Sequence, residues 1–513
     1  MPPMQFFLGS NKCILSGPRG QRRNPAQKTR KAMKRTLAPE SLHEIDARLE
    51  QAHKVFARRY PGATGARQPV HTVYGGAHLF HADTARRLGE LAQRSLDEYA
   101  PDFAVFAKAV SLPGASHLPE TPEAAERLAK AIEDDPAAAR KDNWPAWFAH
   151  TIYRRVREKL RREAVEDFRI DFEDGYGNRP DTEEDGHAAA AAAQVASGAN
   201  SGELPPFIGI RLKPFNEELR RRSIRTLDIF LSELAEKTRG RIPKNFFITL
   251  PKVVLPDEVA ALADVCSRLE PLLDLEPGAL RIELMIETTQ SIFNERGEVH
   301  LLPLVSAARG RCIAAHFGTY DYTAGRNITA AYQTMAHPAC DFAREVMQVA
   351  LAGTGVWLSD GATNIMPVPV HRAGSDGAIS ARQKEENRVA VHHAWKLHFD
   401  HIRHSLENGY FQGWDLHPAQ LPTRYAAIYS FFLESLDAAS KRLRNFIEKA
   451  AQATLVGEVF DDAATGQGLL NYFLRAINCG AVSAEEAEEL SGLSLTEIRT
   501  GSFLKILEGR RTS

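Results

Sequence analysis

The sequence has few cysteines, no long apolar run and almost no net charge. Its five cysteines among 513 residues are scattered and form no C-x-x-C pair. An odd, dispersed set excludes a disulfide framework and a zinc knuckle, and it predicts reduced thiols in a cytoplasmic protein. No apolar stretch approaches the roughly 18–20 residues that a membrane helix needs. The formal net charge of −1 gives no electrostatic reason to expect nucleic acid or a membrane as partner.

Acidic residues are absent from the first 39 positions, where nine lysines and arginines accumulate. We interpret residues 1–39 as a basic tail without fixed structure. An Arg-rich, acid-poor N-terminus is also typical of an organellar transit peptide, and a chain that starts at Met33 is a further alternative. The tail therefore takes no part in the fold prediction.

Short apolar runs separated by helical patterns follow the tail. Eight runs are candidate strands: 69–74, 168–172, 207–212, 246–250, 282–286, 312–317, 365–370 and 410–416. Alternating strands and helices predict a parallel sheet, and eight strands predict a (β/α)8 TIM-type barrel over residues 40–424. Two helical additions are expected, an insertion at about 97–164 after the first strand and a C-terminal region over 425–513.

Polar side chains stand where the predicted strands end, and catalytic groups of TIM barrels lie at those ends. In chain order they are Glu173 and Asp174, Arg211, Lys252, Glu287, Asp321 and His417. A carboxylate beside a buried strand is costly unless it is paired or binds a metal. Glu287 and Asp321 on adjacent strand ends therefore predict a Mg²⁺ or Mn²⁺ site, since these cations prefer oxygen ligands. For either residue alone, capping of the following helix is the alternative.

The three basic candidates, Arg211, Lys252 and His417, each have a second interpretation. Arg211 is placed to bind a substrate carboxylate or an enolate oxygen, or to form a salt bridge with Glu173 or Asp174. Lys252 has a weaker case, because a lysine at a strand end is often only ion-paired. His417 is a proton donor in one interpretation and a structural histidine in the other, which we favour.

Six segments resemble the HpcH/HpaI aldolase and citrate lyase β-subunit superfamily. They are Asp171-Phe172-Glu173-Asp174, Ile210-Arg211-Leu212-Lys213-Pro214, Leu250-Pro251-Lys252, Ile286-Glu287-Thr288, Phe317-Gly318-Thr319-Tyr320-Asp321-Tyr322 and Gly413-Trp414-Asp415-Leu416-His417-Pro418-Ala419-Gln420. Each is a weak signal alone, but the order of all six is fairly specific. The first strand departs from the superfamily, with His71-Thr72-Val73-Tyr74 where many relatives have an arginine, and the insertion after it is longer.

The resemblance implies a phosphoenolpyruvate/pyruvate-type barrel with Mg²⁺ on Glu287 and Asp321 and the substrate-binding arginine at Arg211. It implies a carbon–carbon lyase that acts through a metal-stabilised enolate of an oxo acid or acyl (CoA) thioester. The catalytic residues we expect are Arg211, Glu173, Asp174 and Lys252. For substrate binding we expect Gly318, Thr319 and His417 beside Arg211.

Three further expectations follow. A phosphotransferase acting on phosphoenolpyruvate is one alternative function, although the sequence has no G-x-x-x-x-G-K-[ST] loop. A metal protein is another, built on His392, His393, His398, His401 and His404, although a solvated helix surface explains this series better. Because some relatives cover a neighbour's site with a C-terminal acid, a homo-oligomer is the natural guess, with Asp461 and Asp462 as candidates beside the alternative of an exposed turn.

Overall fold

The computed structural model describes residues 36–37, 39–62, 65–373, 379–448, 454–456, 459–461 and 463–512. The chain forms two compact units, residues 1–58 and 59–513. In the first unit, a short 3-10 turn leads into helix α1 (His43–Arg59), which buries none of its side chains. Most of the predicted basic tail, residues 1–35 and 38, lies outside the described residues, so that prediction stays untested.

The second unit is built around a closed barrel of parallel strands. In sequence order, which is also the order around the barrel, the eight described strands are β1 (His71–Gly76), β2 (Asp167–Asp171), β3 (Phe207–Arg211), β4 (Phe246–Leu250), β5 (Arg281–Ile286), β6 (Cys312–Phe317), β7 (Trp357–Ala362) and β8 (Gln412–Asp415). Pairing of β8 with β1 closes the sheet. The predicted (β/α)8 TIM-type barrel is confirmed.

Helices follow or precede each strand, and five of them occupy the long excursion between β1 and β2. That insertion contains α2 (Thr84–Tyr99), α3 (Phe103–Ala109), α4 (Pro122–Asp134), α5 (Pro136–Asp142) and α6 (Trp144–Glu163). The barrel helices are α7 (Asp181–Ser201), α8 (Arg220–Thr238), α9 (Pro256–Leu272), α10 (Thr289–Ile292), α11 (Leu301–Ala307), α12 (Thr319–Gly325), α13 (Pro338–Leu351) and α14 (Ala381–Glu407).

The C-terminal region is helical, with one short hairpin. It contains α15 (Leu421–Glu448), β9 (Thr454–Val456), β10 (Val459–Asp461), α16 (Ala463–Asn478), α17 (Ala484–Ser491), α18 (Leu495–Arg499) and α19 (Phe503–Thr512). The predicted boundary at 424–425 falls inside α15, a helix that buries most of its length. Among the described residues, no helix is long and apolar enough to cross a membrane.

The seventh strand was predicted in the wrong place. The run 365–370 is irregular, and the strand is Trp357–Ala362. Pro367 and Pro369 cannot donate to a strand ladder, which explains why the apolar run does not pair. The true strand is hard to recognise because its middle is Ser359-Asp360-Gly361. Asp360 is buried there because Arg344 and Ser405 bind its carboxylate.

The barrel interior contains charged side chains, whereas we expected apolar ones. Arg169 of β2 lies fully inside the barrel, and its guanidinium binds Asp167 and the carboxylate of Glu283. Thr249 of β4 connects Arg169 of β2 with Glu283 of β5. Its hydroxyl accepts a hydrogen bond from Arg169 and donates one to Glu283 at 2.7 Å. Burial raises the pKa of Asp167 to about 6 despite this arginine. The charges are tolerated because they are paired with one another.

Candidate active site

The mouth of the barrel, at the carboxyl ends of the strands, brings together most of the predicted site residues. Arg211 ends β3 and is almost fully buried. Asp171, at the end of the neighbouring β2, binds it through two hydrogen bonds, from Nε at 2.8 Å and from Nη2 at 2.5 Å. Tyr74 and Trp414 face the guanidinium carbon at 4.7 and 5.5 Å from their ring centres. The arginine is therefore held rigidly, with Nη1 as the nitrogen not bound to Asp171.

Asp171 also shapes the loop that carries the two acidic candidates. Its carboxylate accepts from the backbone N–H of Glu173 at 2.9 Å and from that of Gly175 at 2.7 Å. Glu173 is buried, and its Oε2 lies 3.2 Å from Arg211 Nη1, whereas Asp174 is exposed at 3.8 Å from the same nitrogen. The salt bridges that were the alternative for Arg211 are thus present. Asp171 was quoted in a motif but not assigned a role, because only folding reveals its contact with Arg211.

Glu287 and Asp321 lie side by side, as the sequence predicts. Glu287 follows β5 and is buried, while Asp321 lies in the first turn of α12 and reaches solvent. The two carboxyl groups are within hydrogen-bonding reach of each other. Burial and the charges of Asp321 and Glu173 hold the pKa of Glu287 well above its ordinary value. Burial likewise raises the pKa of Asp321, with a further contribution from Asp174.

Lys252 connects the acidic residues. Its Nζ forms an ion pair with Glu173 and lies 3.3 Å from Asp174 and 3.8 Å from Asp321. Its backbone has a positive φ of 51°, an uncommon conformation for a lysine, and this turn directs its N–H to Glu287 Oε1 at 2.8 Å. Burial alone would lower the pKa of Lys252, but the adjacent carboxylates raise it, so Nζ carries a positive charge.

The turn between β6 and α12 fits closely against the carboxylate pair. A Cβ atom added at Gly318 would lie 2.5 Å from both Cβ and Oε2 of Glu287, so this position needs glycine. Thr319 is buried beside Gly361 of β7, and its Oγ1 has no hydrogen-bond partner among the described residues. Gly318 therefore allows the close approach of Glu287, whereas the buried Thr319 hydroxyl lies against Gly361 of β7.

The end of β8 is occupied by structural contacts. His417 caps the turn that follows, because its Nδ1 accepts from the N–H of Ala419 at 3.1 Å. This contact supports the structural interpretation, and the substrate-binding role of His417 remains a prediction. Asp415, two residues earlier, binds His71, His398 and Arg424 inside the protein.

Four of the five histidines of α14 bind four different partners. His392 binds the carbonyl of Tyr99, His398 binds Asp415, His401 binds Thr363 and His404 binds Asp341. In the described parts of the chain, no three His, Cys, Asp or Glu side chains are grouped to hold a metal. The histidine series therefore does not form a metal site.

The acidic pair at the mouth fits a hard divalent cation. Five carboxyl groups face two cationic side chains there: Asp171, Glu173, Asp174, Glu287 and Asp321 against Arg211 and Lys252. Burial raises the pKa of Glu287, and repulsion from Asp321 and Glu173 adds to it; a cation bound between the oxygens would relieve that repulsion. Two protein carboxylates suffice for Mg²⁺, which usually keeps several waters or substrate oxygens as its other ligands.

Residues 49–506 match the family described as Domain of unknown function (DUF6986). The chain belongs to this family. The match spans the barrel, its helical insertion and the C-terminal helices of this DUF6986 protein. A comparison with curated proteins finds no match.

Solved structures share the general architecture at low identity. A citrate lyase from Burkholderia xenovorans is 18% identical, with 66% of this chain and 92% of that chain covered and a TM-score of 0.47. A malate synthase from Haloferax volcanii is 15% identical, with 69% and 94% covered and a TM-score of 0.38. Protein CitE from Mycobacterium tuberculosis, solved with magnesium and pyruvate, is 15% identical, with 54% and 87% covered and a TM-score of 0.32. Citrate lyase-type proteins are among the solved structures to which this chain is similar.

Asp461 and Asp462 were the candidate acids that reach a neighbouring subunit. Asp461 ends β10, but nothing about its side chain is described, and Asp462 lies outside the described residues. Their proposed contribution to a neighbouring subunit stays a prediction, as does the homo-oligomer.

Proposed function

We propose that this protein is a Mg²⁺- or Mn²⁺-dependent enzyme that cleaves or forms a carbon–carbon bond next to the carbonyl of an oxo acid or acyl thioester. The observation that carries the proposal is the pairing of Glu287 with Asp321 beside an arginine that Asp171 fixes in place. Glu287 and Asp321 would hold the cation, whose chemistry is to polarise the carbonyl and offset charge on its oxygen.

Arg211 binds the substrate in this proposal. Asp171 occupies Nε and Nη2, and Nη1, which lies 3.2 Å from Glu173 Oε2, is the nitrogen that would turn to a substrate carboxylate or to an enolate oxygen. Because the guanidinium is buried and held between Asp171 and two aromatic rings, little reorganisation is needed when charge develops. Gly318 and Thr319 follow β6 at the same mouth, and Thr319 would have to turn its buried hydroxyl away from Gly361 to reach a substrate oxygen.

Glu173 is our candidate for moving the proton at the carbon next to the carbonyl. Its Oε2 is buried and lies 3.2 Å from Arg211 Nη1, an ion pair without the alignment of a hydrogen bond. Burial raises the pKa of Glu173, although Arg211 and Lys252 oppose that shift. Lys252, which stays charged, orients Glu173 and Asp174 through its ion pairs instead of acting as a base.

A thermal titration with Mg²⁺ and Mn²⁺ tests the cation site. We expect a saturable rise of the melting temperature that Glu287→Gln abolishes, because the amide removes one of the two anionic ligands. Glu217→Gln is the matched control, since Glu217 is an exposed carboxylate on the loop after β3 that pairs with Arg220. A wild-type protein without a shift, or an equal shift in Glu287→Gln, contradicts the proposal.

A substrate screen tests the reaction. Hydroxy-oxo acids and CoA thioesters are incubated with the metal-loaded enzyme, and release of pyruvate, oxaloacetate or acetyl-CoA is measured, as is the reverse condensation. Activity that needs the metal and falls in Arg211→Lys supports the lyase or synthase assignment. Metal binding without any product across the screen counts against it, and phosphate release from phosphoenolpyruvate would favour the phosphotransferase alternative.

A further inference from the structure

A cavity lies at the end of the barrel where the strands begin, opposite the Glu287–Asp321 pair. Its volume is about 220 Å³, and it lies between the barrel and the C-terminal helices α15 and α16. The wall includes Gln68 before β1, Trp357 at the start of β7, Phe411 before β8, Phe432 of α15 and Arg475 of α16. One water needs only about 10–15 Å³ of such space, so the cavity has room for a small organic molecule.

Arg475 places a positive charge in this cavity. Its guanidinium carbon lies 3.9 Å from the centre of the Phe411 ring, so the group is held against an aromatic wall. Among the described residues, no carboxylate forms an ion pair with Arg475. Burial lowers the pKa of Arg475 to about 10, which still leaves it protonated at neutral pH.

The arginines that are buried at the core of this protein are paired. Arg211 binds Asp171, Arg311 binds Glu270, Arg344 binds Asp360 and Arg424 binds Asp415. Burying a charge is expensive unless an opposite charge or several hydrogen bonds compensate it. Arg475, which is partly buried, departs from this pattern, and its side chain lines the cavity.

The neighbours of Arg475 suit an amphipathic anion. Asn471, one turn earlier on α16, accepts from Gln467 through Oδ1, which leaves its N–H₂ group to donate. The Cys479 thiol also lines the cavity, and burial raises its pKa to about 12, so it adds no negative charge. Leu351, Leu406 and Ile428 supply apolar wall.

We propose that this cavity is a binding site for a small organic anion whose carboxylate or phosphate group binds Arg475 and whose apolar part lies against the barrel end. Such a ligand would connect α16 to the strands β1, β7 and β8 at the face opposite the Glu287–Asp321 pair. The proposal is independent of the reaction at that pair, so the two can fail separately.

Thermal shift and calorimetric titration with butanoate test the proposal, with EDTA present and ionic strength constant. Butanamide is the neutral probe of the same shape, and inorganic phosphate distinguishes a phosphate from a carboxylate preference. We expect a saturable response to butanoate or phosphate and none to butanamide. The apparent Kd should rise at least about tenfold in Arg475→Met, because charge-assisted hydrogen bonds are lost. Arg475→Lys should bind more weakly than wild type but better than Arg475→Met.

Arg403→Met is the matched control. Arg403 also lies over an aromatic ring, that of Phe431, but it is paired with Glu434 at 2.8 Å. We expect Arg403→Met to keep the full anion response. Absence of saturable binding to the wild-type protein by calorimetry overturns the proposal whether or not the variants fold. An equal response in wild type and Arg475→Met overturns it as well.

Discussion

At the scale of single residues, Asp171 has a role in the site that was not predicted from the sequence. Its carboxylate holds two nitrogens of Arg211 and two backbone N–H groups of the loop that carries Glu173 and Asp174. The residue types at the mouth could be predicted, because strand ends of a barrel meet there. Which acid binds which base could not, since the distances depend on the register between β2 and β3.

Asp171→Asn should therefore be strongly destabilising. The substitution leaves the buried Arg211 without its bidentate partner, and breaking a buried ion pair costs about 3–5 kcal/mol. We expect a loss of about 3 kcal/mol in the free energy of unfolding, measured by urea denaturation. Asp264→Asn breaks the exposed pair with Arg309 and should cost less than about 1 kcal/mol. Equal losses in the two variants would contradict the role given to Asp171.

Buried histidines make the stability depend on pH. His401 accepts or donates at Thr363 in the interior, and burial lowers its pKa to about 4. The unfolded chain takes up a proton near the ordinary pKa of about 6.5, while the folded protein does not, so stability falls as the pH drops from 6.5 towards 4. From pH 7 to 5 we expect this histidine to cost about 2 kcal/mol. His401→Gln should flatten the urea-measured pH dependence by that amount, and an unchanged slope would contradict the assignment.

At the scale of elements, the strands were predictable where their sequences are apolar. The runs at 246–250 and 312–317 match β4 and β6 in both bounds, because Phe, Ile and Leu facing the core mark a buried strand. β7 was not predicted, since its Asp360 is buried through contacts with Arg344 of α13 and Ser405 of α14. The polar layer of Arg169, Asp167 and Glu283 escaped prediction for the same reason.

The turn between β6 and α12 gives the sharpest test at this scale. Gly318→Ala would place a Cβ against Glu287, so the carboxylate must move away from Asp321. Overpacking of this kind costs about 1–3 kcal/mol, and we expect the protein to fold but to lose its Mg²⁺-dependent thermal shift. Gly325→Ala, at the end of the adjoining α12, is the control, because nothing lies within 4 Å of its added Cβ. A Gly318→Ala protein that keeps the full shift would show that Glu287 is not held by this turn.

At the scale of the whole molecule, the barrel and the C-terminal helices share one core. The same cluster of buried residues includes Ile248 and Leu284 of the barrel, Tyr425 of α15 and Leu470 and Phe473 of α16. The sequence suggested a separate region from residue 425, because strands end there. Which helix faces pack on the barrel is decided by contacts far apart in the chain, and α15 runs through the predicted boundary.

Removing residues 449–513 should therefore unfold the remaining barrel as well. The deletion exposes the faces of α15 that bury Leu436, Leu443 and Phe446, and each apolar side chain returned to water costs about 1.5–3 kcal/mol. A loss of several such contacts is comparable to the roughly 5–15 kcal/mol that stabilises a typical protein. We expect the truncated chain to aggregate or to lose its near-ultraviolet circular dichroism. A protein that keeps residues 59–513 should instead unfold in one transition. A truncated protein with native dichroism and the full Mg²⁺ response would show instead that the barrel is an independent domain.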